Sequence, residues 1–262
     1  KINIDKSKPL VLLAPLDWGL GHTTRCIPII AELLKLSCSV IVACNSVQRS
    51  ILEAEFPELR FFHLEGYNLK YSRNRLLTVA SIISQVPKIL IRINAEASWL
   101  KKFISNHQVD AVISDNRYGF RATGIRSVFI THQLSVKTGA GKIADRLVNK
   151  VLHRHINRFS ECWVPDFPDE PLAAGLSTPR SMPRIAVKYM GCLSRFTACI
   201  TPTEKNFVLI ILCGPEPQRS IFESLIMKQV PLDAKRLILV RGRPDSDGRL
   251  KIDKGIEIAG HL

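Results

Sequence analysis

The sequence predicts an α/β protein built on a parallel sheet. Short apolar runs alternate with helical patterns from residue 10 onward, as they do where each strand returns through a helix. Several of these runs end in polar residues or glycine, where a strand would hand over to a loop. After residue 205 the pattern restarts with a second apolar run and a second helix. The N-terminal part therefore reads as a Rossmann-like domain, and the restart as the beginning of a second Rossmann-like domain.

Taken in order, "LVLLAP" (10–15) is the first strand and residues 22–36 its helix. "SVIVACN" (39–45) and "LRFFHLE" (59–65) are further strands. Residues 76–105 have the periodicity of a long helix, with Pro87 as a kink or break. "DAVISD" (110–115), "SVFITHQ" (127–133) and "ECWVPD" (161–166) are strands with polar C-terminal ends. Residues 167–187, rich in Pro, Gly and Ser, read as surface loop. "FVLIILCGPEPQ" (207–218), a helix over 219–229 and "RLILVRG" (236–242) form the restart. The expected division is 1–191 for the first domain, 192–204 for a linker and 205–262 for part of the second. Those last residues are too few for a full doubly wound unit. The chain starts at Lys1 and stops at "IEIAGHL" in mid-pattern, so a fragment of a longer protein is expected.

The composition, 46% hydrophobic, allows a sizeable core. Thirty-seven Lys and Arg against 23 Asp and Glu leave a net charge of +14, a field that favours polyanionic partners such as phosphorylated small molecules, anionic lipid or nucleic acid. The seven cysteines are odd in number and several fall inside apolar runs, as reduced thiols do. No C-x-x-C pair or His/Cys cluster with zinc spacing occurs, so no metal site is predicted. Without a signal peptide or an apolar stretch long enough to span a bilayer, a cytoplasmic protein is expected.

Function concentrates in "PLDWGLGHTTRCIP" (15–28). Gly19 and Gly21 let the backbone turn tightly between strand and helix, and the helix start points free N–H groups and its positive dipole end at whatever lies there. A dinucleotide site is disfavoured: G-x-G-x-x-G needs glycine where Thr24 stands, and Cys44 and Asn45 replace the ribose-binding acid. No Walker pattern is present either.

The strand, G-L-G-H and helix resemble the first loop of GT-B-fold glycosyltransferases. The nearest likeness is to the bacterial branch that includes the peptidoglycan N-acetylglucosaminyltransferase (glycosyltransferase family 28-like). "SDNRYGF" (114–120), "THQLSV" (131–136), "LSRF" (193–196) and "LCGPEPQR" (212–219) extend the resemblance over nearly the whole chain, with the C-terminal domain truncated. It implies a GT-B-like fold, an acceptor in the N-terminal domain and a nucleotide-sugar in the C-terminal one. Gly19, Gly21, Thr23 and Arg25 would then face the substrate. His22 would serve as general base, with Asp115 orienting it or acting as base itself. Asn116, Arg117 and His132 would share that rim, and Arg25 would meet phosphate or pair with Asp17 or Glu32. Gly214, Arg219, Ser220, Arg241 and Gly242 would face the donor diphosphate. Most donor contacts of the family lie further downstream, so weak nucleotide-sugar binding is expected of this chain alone. No cofactor is implied, the nucleotide-sugar being a co-substrate, and helix dipoles with basic side chains would stabilise the leaving diphosphate.

Lys142, Arg146, Lys150, Arg154 and Arg158 recur every four residues beside Ile143, Leu147, Val148, Val151, Leu152, Ile156 and Phe159. This amphipathic basic helix admits two readings: docking on an anionic membrane, at whose inner face a lipid-linked acceptor would lie, or an ordinary helix covering the sheet. Overall the leading function is transfer of a sugar from a UDP-sugar to an acceptor hydroxyl. A nucleotide-sugar hydrolase is the near alternative, since "GLGHTTRC" also resembles G-x-G-H-x-x-R-C of such enzymes. A nucleic-acid-binding module, suggested by charge, is opposed by scattered basic residues and 7% aromatic content.

Overall fold

The computed structural model describes residues 7–67, 84–196, 207–214, 216–229, 237–243, 251–253 and 256–260. Its larger sheet has seven strands in the order β3-β2-β1-β4-β5-β6-β7: β1 Leu10–Ala14, β2 Ser39–Cys44, β3 Arg60–His63, β4 Ala111–Asp115, β5 Arg126–Ile130, β6 Glu161–Val164 and β7 Ala186–Tyr189. Every pairing in it is parallel. Connecting helices are α1 Leu20–Lys35, α2 Ser46–Glu55, α3 Val86–Asn106 and α4 Lys142–Ile156.

β1 is buried along its length because both its faces are covered, as a central parallel strand requires. Val11 and Leu13 pack with Cys26, Ile27 and Ile30 of α1. Leu10, Leu12 and Ala14 face the other way, toward Leu100 and Phe103 of α3. A third cluster joins Leu152 and Ile156 of α4 to Phe129, Cys162 and Val164. Each such aliphatic side chain removed from water contributes about 1.5–3 kcal/mol, so the sheet centre is the stable frame on which its C-terminal edge is displayed.

The second sheet, ordered β10-β11-β9-β8, comprises β8 Val208–Ile211, β9 Leu237–Val240, β10 Lys251–Asp253 and β11 Ile256–Ala259, with α5 Gln218–Gln229 after β8. β8, β9 and β11 are parallel; β10 runs antiparallel to β11. It has its own core of Leu212, Leu237, Leu239, Ile256 and Ile258. At the start of the expected linker, Leu193 packs against the first core and Arg195 pairs with Glu55 at 2.7 Å.

Several element expectations need correction. Pro87 does not kink a helix: it stands in the first turn of α3, where the N–H it lacks has no partner to lose. The earlier part of the expected 76–105 helix falls largely outside the described residues. β7 takes its first residues from the stretch read as loop, and α2 arises where no helix was expected. β5 stops at Ile130, after which the Gln133 N–H donates to the Thr131 hydroxyl at 3.0 Å and turns the chain.

Candidate active site

The sheet order reverses direction at β1, whose neighbours are β2 on one side and β4 on the other. At such a switch point the loops leaving adjacent strands diverge and open a crevice at the carboxyl edge. β1 leads into Asp17-Trp18-Gly19, and β4 ends on Asp115. Gly19 caps α1 at φ +77°, a left-handed conformation that glycine adopts without strain, and donates no side-chain cap. A Cβ added to Gly19 or Gly21 would meet nothing within 4 Å, so this side of the loop is open space.

Asp115 is fully buried and is the hub. The Arg25 Nε–H donates to its Oδ2 at 3.0 Å, and Arg25 Nη2 donates to Oδ1 in a bidentate fork. His22 Nδ1 lies 2.9 Å from Oδ2. That nitrogen also stands 2.6 Å from Arg25 Nη2. We assign the Nδ1 proton to His22, donated to the Asp115 carboxylate, the tautomer in which Nε2 carries the ring's lone pair. His22 and Arg25 retain 12% and 13% side-chain exposure, so the buried charge reaches the surface through them. Arg25 Nη1 lies 3.2 Å from His132 Nδ1, which accepts. Burial first, then the charge of Arg25, holds His132 below the usual imidazole range, so it is neutral near pH 7.

The structure brings His22, Arg25, Asp115 and His132 together; of the partners expected for Arg25, phosphate or Asp17 or Glu32, neither carboxylate is the one it pairs with. Asp17 instead accepts from the Tyr67 N–H at 3.0 Å, and its carboxylate fills the space where a Cβ on Gly66 would stand. Two further placements are corrected. Thr23 is fully buried instead of facing a substrate. Arg117 was expected on the rim; Asn116, at φ +55°, reverses the chain and sends Arg117 back into the protein. There its Nε donates to the Pro15 carbonyl at 2.7 Å, and Nη1 reaches the Glu65 carbonyl at 3.1 Å and Glu96 Oε1 at 2.6 Å. Glu96 also accepts from the Tyr67 hydroxyl at 2.9 Å and the Gly119 N–H at 3.2 Å. Burial pushes the Glu96 carboxyl up, against Arg117 and these donors. Arg117, Glu96 and Tyr67 clamp the loops behind the site. Glu96 was missed, although a carboxylate four and seven residues before Leu100 and Phe103 sits on the apolar face of a helix and so requires a partner.

The loop carrying His132 is held in place by another set missed in the sequence. The Leu134 and Ser135 N–H groups donate to the Leu176 carbonyl at 2.7 and 3.0 Å. The following segment is organised by Asp166: burial opposes its charge, but the Ser177 hydroxyl and the N–H groups of Ala173, Leu172 and Phe167 outweigh it and bring the carboxyl down to about 2.

In the second sheet Gly214 turns the chain after β8 at φ +118°. Gly242, at φ +63°, passes so close to the Leu212 carbonyl that a Cβ would come within 2.4 Å. Ser220 lies half-exposed in the first turn of α5. Arg219, expected to meet a diphosphate, is buried: it pairs with Glu216 and donates to the Arg241 carbonyl at 2.9 Å. Arg241 lies 2.7 Å from Glu223. These arginines brace the loops.

A parallel α/β sheet with a polar cluster at its switch point, followed by a second, smaller sheet, is a GT-B-like arrangement. No protein-family model and no curated protein matches the sequence. Among solved structures, the chain is similar to the glycotransferase of kitacinnamycin, with 15% identity and a TM-score of 0.59 over 97% of this chain and 72% of that one. It is similar to UGT89C1 of Arabidopsis thaliana in complex with UDP-L-rhamnose, with 16% identity and a TM-score of 0.55 over 96% and 69%. The spinosyn forosaminyltransferase SpnP follows with 14% identity and a TM-score of 0.51 over 97% and 71%. At these identities the likeness establishes the shared fold.

Proposed function

We propose that the chain belongs to a glycosyltransferase that moves a sugar from a UDP-sugar to an acceptor hydroxyl. The observation that carries this reading is the Asp115 hub, with His22 held by its Nδ1 and Nε2 left free beside the open start of α1. His22 Nε2 takes the acceptor's hydroxyl proton as the oxygen attacks the anomeric carbon. The bond from that carbon to the diphosphate oxygen breaks, and UDP leaves with the electron pair. Asp115 stabilises the imidazolium that forms, and Arg25 keeps the carboxylate in place. Substrate contacts fall to Gly19, Gly21, Asn116 and His132. Gly214, Ser220 and Gly242 offer backbone and hydroxyl groups to the donor diphosphate, and Arg241 stands at the same edge. The similarity to an enzyme solved with UDP-L-rhamnose supports the donor class. The acceptor we propose is presented at the inner face of an anionic membrane, in keeping with a peptidoglycan-type relationship.

The test is calorimetric titration with UDP-hexoses and measurement of UDP release with and without lipid extract as acceptor. It is made on this chain and on a version extended to a complete second domain. UDP release that requires the acceptor is the expected result. Free sugar released without acceptor would make the protein a hydrolase, and absence of UDP-hexose binding by both forms would overturn the proposal.

A further inference from the structure

α4 has two surfaces that the fold leaves unused. Leu152 and Ile156 fasten it to the sheet. Ile143, Leu147 and Val151 are spaced four apart, so they form one row along the helix, and they are 78%, 61% and 58% exposed. The sequence alone allowed the aliphatics of this helix to be core; four of them, these three and Val148, are exposed. Lys142, Arg146, Lys150 and Arg154 form the adjacent row, and Arg180 and Arg184 join them in lining a groove of about 1040 Å³. Asp145 is the only carboxylate lining that groove, and it is engaged by the Thr138 N–H at 2.7 Å and the Thr138 hydroxyl at 2.6 Å. Among the described residues no helix is long and apolar enough to cross a membrane, so a lipid contact here would lie in the plane of the interface.

We propose that this face of α4 docks the protein on an anionic lipid bilayer. Ile143, Leu147 and Val151 enter the boundary between headgroups and acyl chains, and the adjoining cations hold headgroup phosphates. An aliphatic row beside a cationic row is the chemistry of an interfacial helix. A nucleic acid would use the cations but offers nothing to the aliphatic row. The surface is also tied to the candidate site. Asn149 accepts from the Val136 N–H at 2.6 Å and donates to its carbonyl at 3.1 Å, and His153 Nε2 donates to the Leu134 carbonyl at 2.8 Å. Thus the helix that touches lipid grips the loop carrying His132, and an acceptor held in the membrane would be delivered beside it. The inference rests on the proposed function only for what the membrane presents. Loss of vesicle binding leaves the calorimetric binding of UDP-hexoses intact, so the two proposals fail separately.

The test is co-sedimentation with vesicles of phosphatidylglycerol mixed with phosphatidylcholine, and with phosphatidylcholine alone. The chain binds the anionic vesicles in a salt-sensitive way and leaves the neutral ones. Replacing Ile143, Leu147 and Val151 together by Ser keeps every charge and lowers binding at least about tenfold. Arg146→Glu with Lys150→Glu lowers it at least as much, each cation near the surface contributing about fivefold. All five positions are exposed, and circular dichroism checks that the fold is kept. No binding to anionic vesicles would overturn the proposal. So would undiminished binding by the triple Ser variant, which would make the groove a site for a soluble polyanion, checked by competition with duplex DNA.

Discussion

Asp115 and Glu96 are both buried carboxylates held by an arginine, Arg25 for the first and Arg117 for the second. Asp115 and Arg117 stand two residues apart on either side of one turn, yet their networks run in opposite directions. Around Asp115 the charge is carried outward, through His22 and Arg25, to the crevice between the loops of β1 and β4. Around Glu96 it is sealed: Arg117, Tyr67 and the Gly119 N–H occupy the carboxylate, and Arg117 reaches two backbone carbonyls besides. A sealed ion pair fixes loop geometry. One that ends in an imidazole nitrogen at the surface can move a proton.

The sharpest way to break this contrast is to remove each arginine. Arg117→Ala leaves Glu96 buried without its cation and should lower stability by about 3–5 kcal/mol in urea unfolding. Arg117→Lys should recover little, because an ammonium cannot reproduce the fork that spans Pro15, Glu65 and Glu96. Arg25→Ala, which leaves His22 on Asp115, should lower stability by about 1–2 kcal/mol. Equal losses would erase the distinction between the two networks.

A smaller effect separates them by pH. His132 belongs to the outward network and is held below its ordinary value of 6.5, first by burial and then by Arg25. The unfolded chain therefore takes up this proton before the folded one does as pH falls. The stability it contributes is complete above 6.5 and is lost as pH falls through the lower folded value. His132→Gln should flatten that part of the pH dependence of the urea midpoint; an unchanged slope would place the titration elsewhere.

The elements legible in the sequence were those with a strong local pattern. Alternation and apolar runs located β1, β2, β4 and β6, and the two glycines located the turn before α1. The Asp115 hub was legible only in part. Arg25 and Asp115 are 90 residues apart and meet because β1 pairs with β4, whereas sequence proximity pointed to Asp17 and Glu32. Arg117 was misplaced because a strand-end residue reads as rim unless the positive φ of Asn116 is known. α2 was missed because it is only ten residues long, "SVQRSILEAE", with Val47, Ile51, Leu52 and Ala54 interspersed among polar residues. Its start is nonetheless built by Asn45 and Gln48, which cap each other's N–H groups at 2.9 and 3.2 Å. The residue weighed as a missing ribose ligand is a helix cap. β7 and β10 are four- and three-residue strands whose pairing partners, not their composition, define them.

The central claim is that His22, oriented by Asp115, is the base of glycosyl transfer. It is tested most directly by the acceptor-dependent rate of UDP release from UDP-hexoses by His22→Ala, compared with the unaltered chain, each in the extended two-domain form. The account predicts a fall of about 10²–10⁴-fold in kcat, with the thermal midpoint and the heat of UDP binding preserved. Turnover by His22→Ala at the unaltered rate would contradict it and leave the Asp115 hub a structural device like that of Glu96.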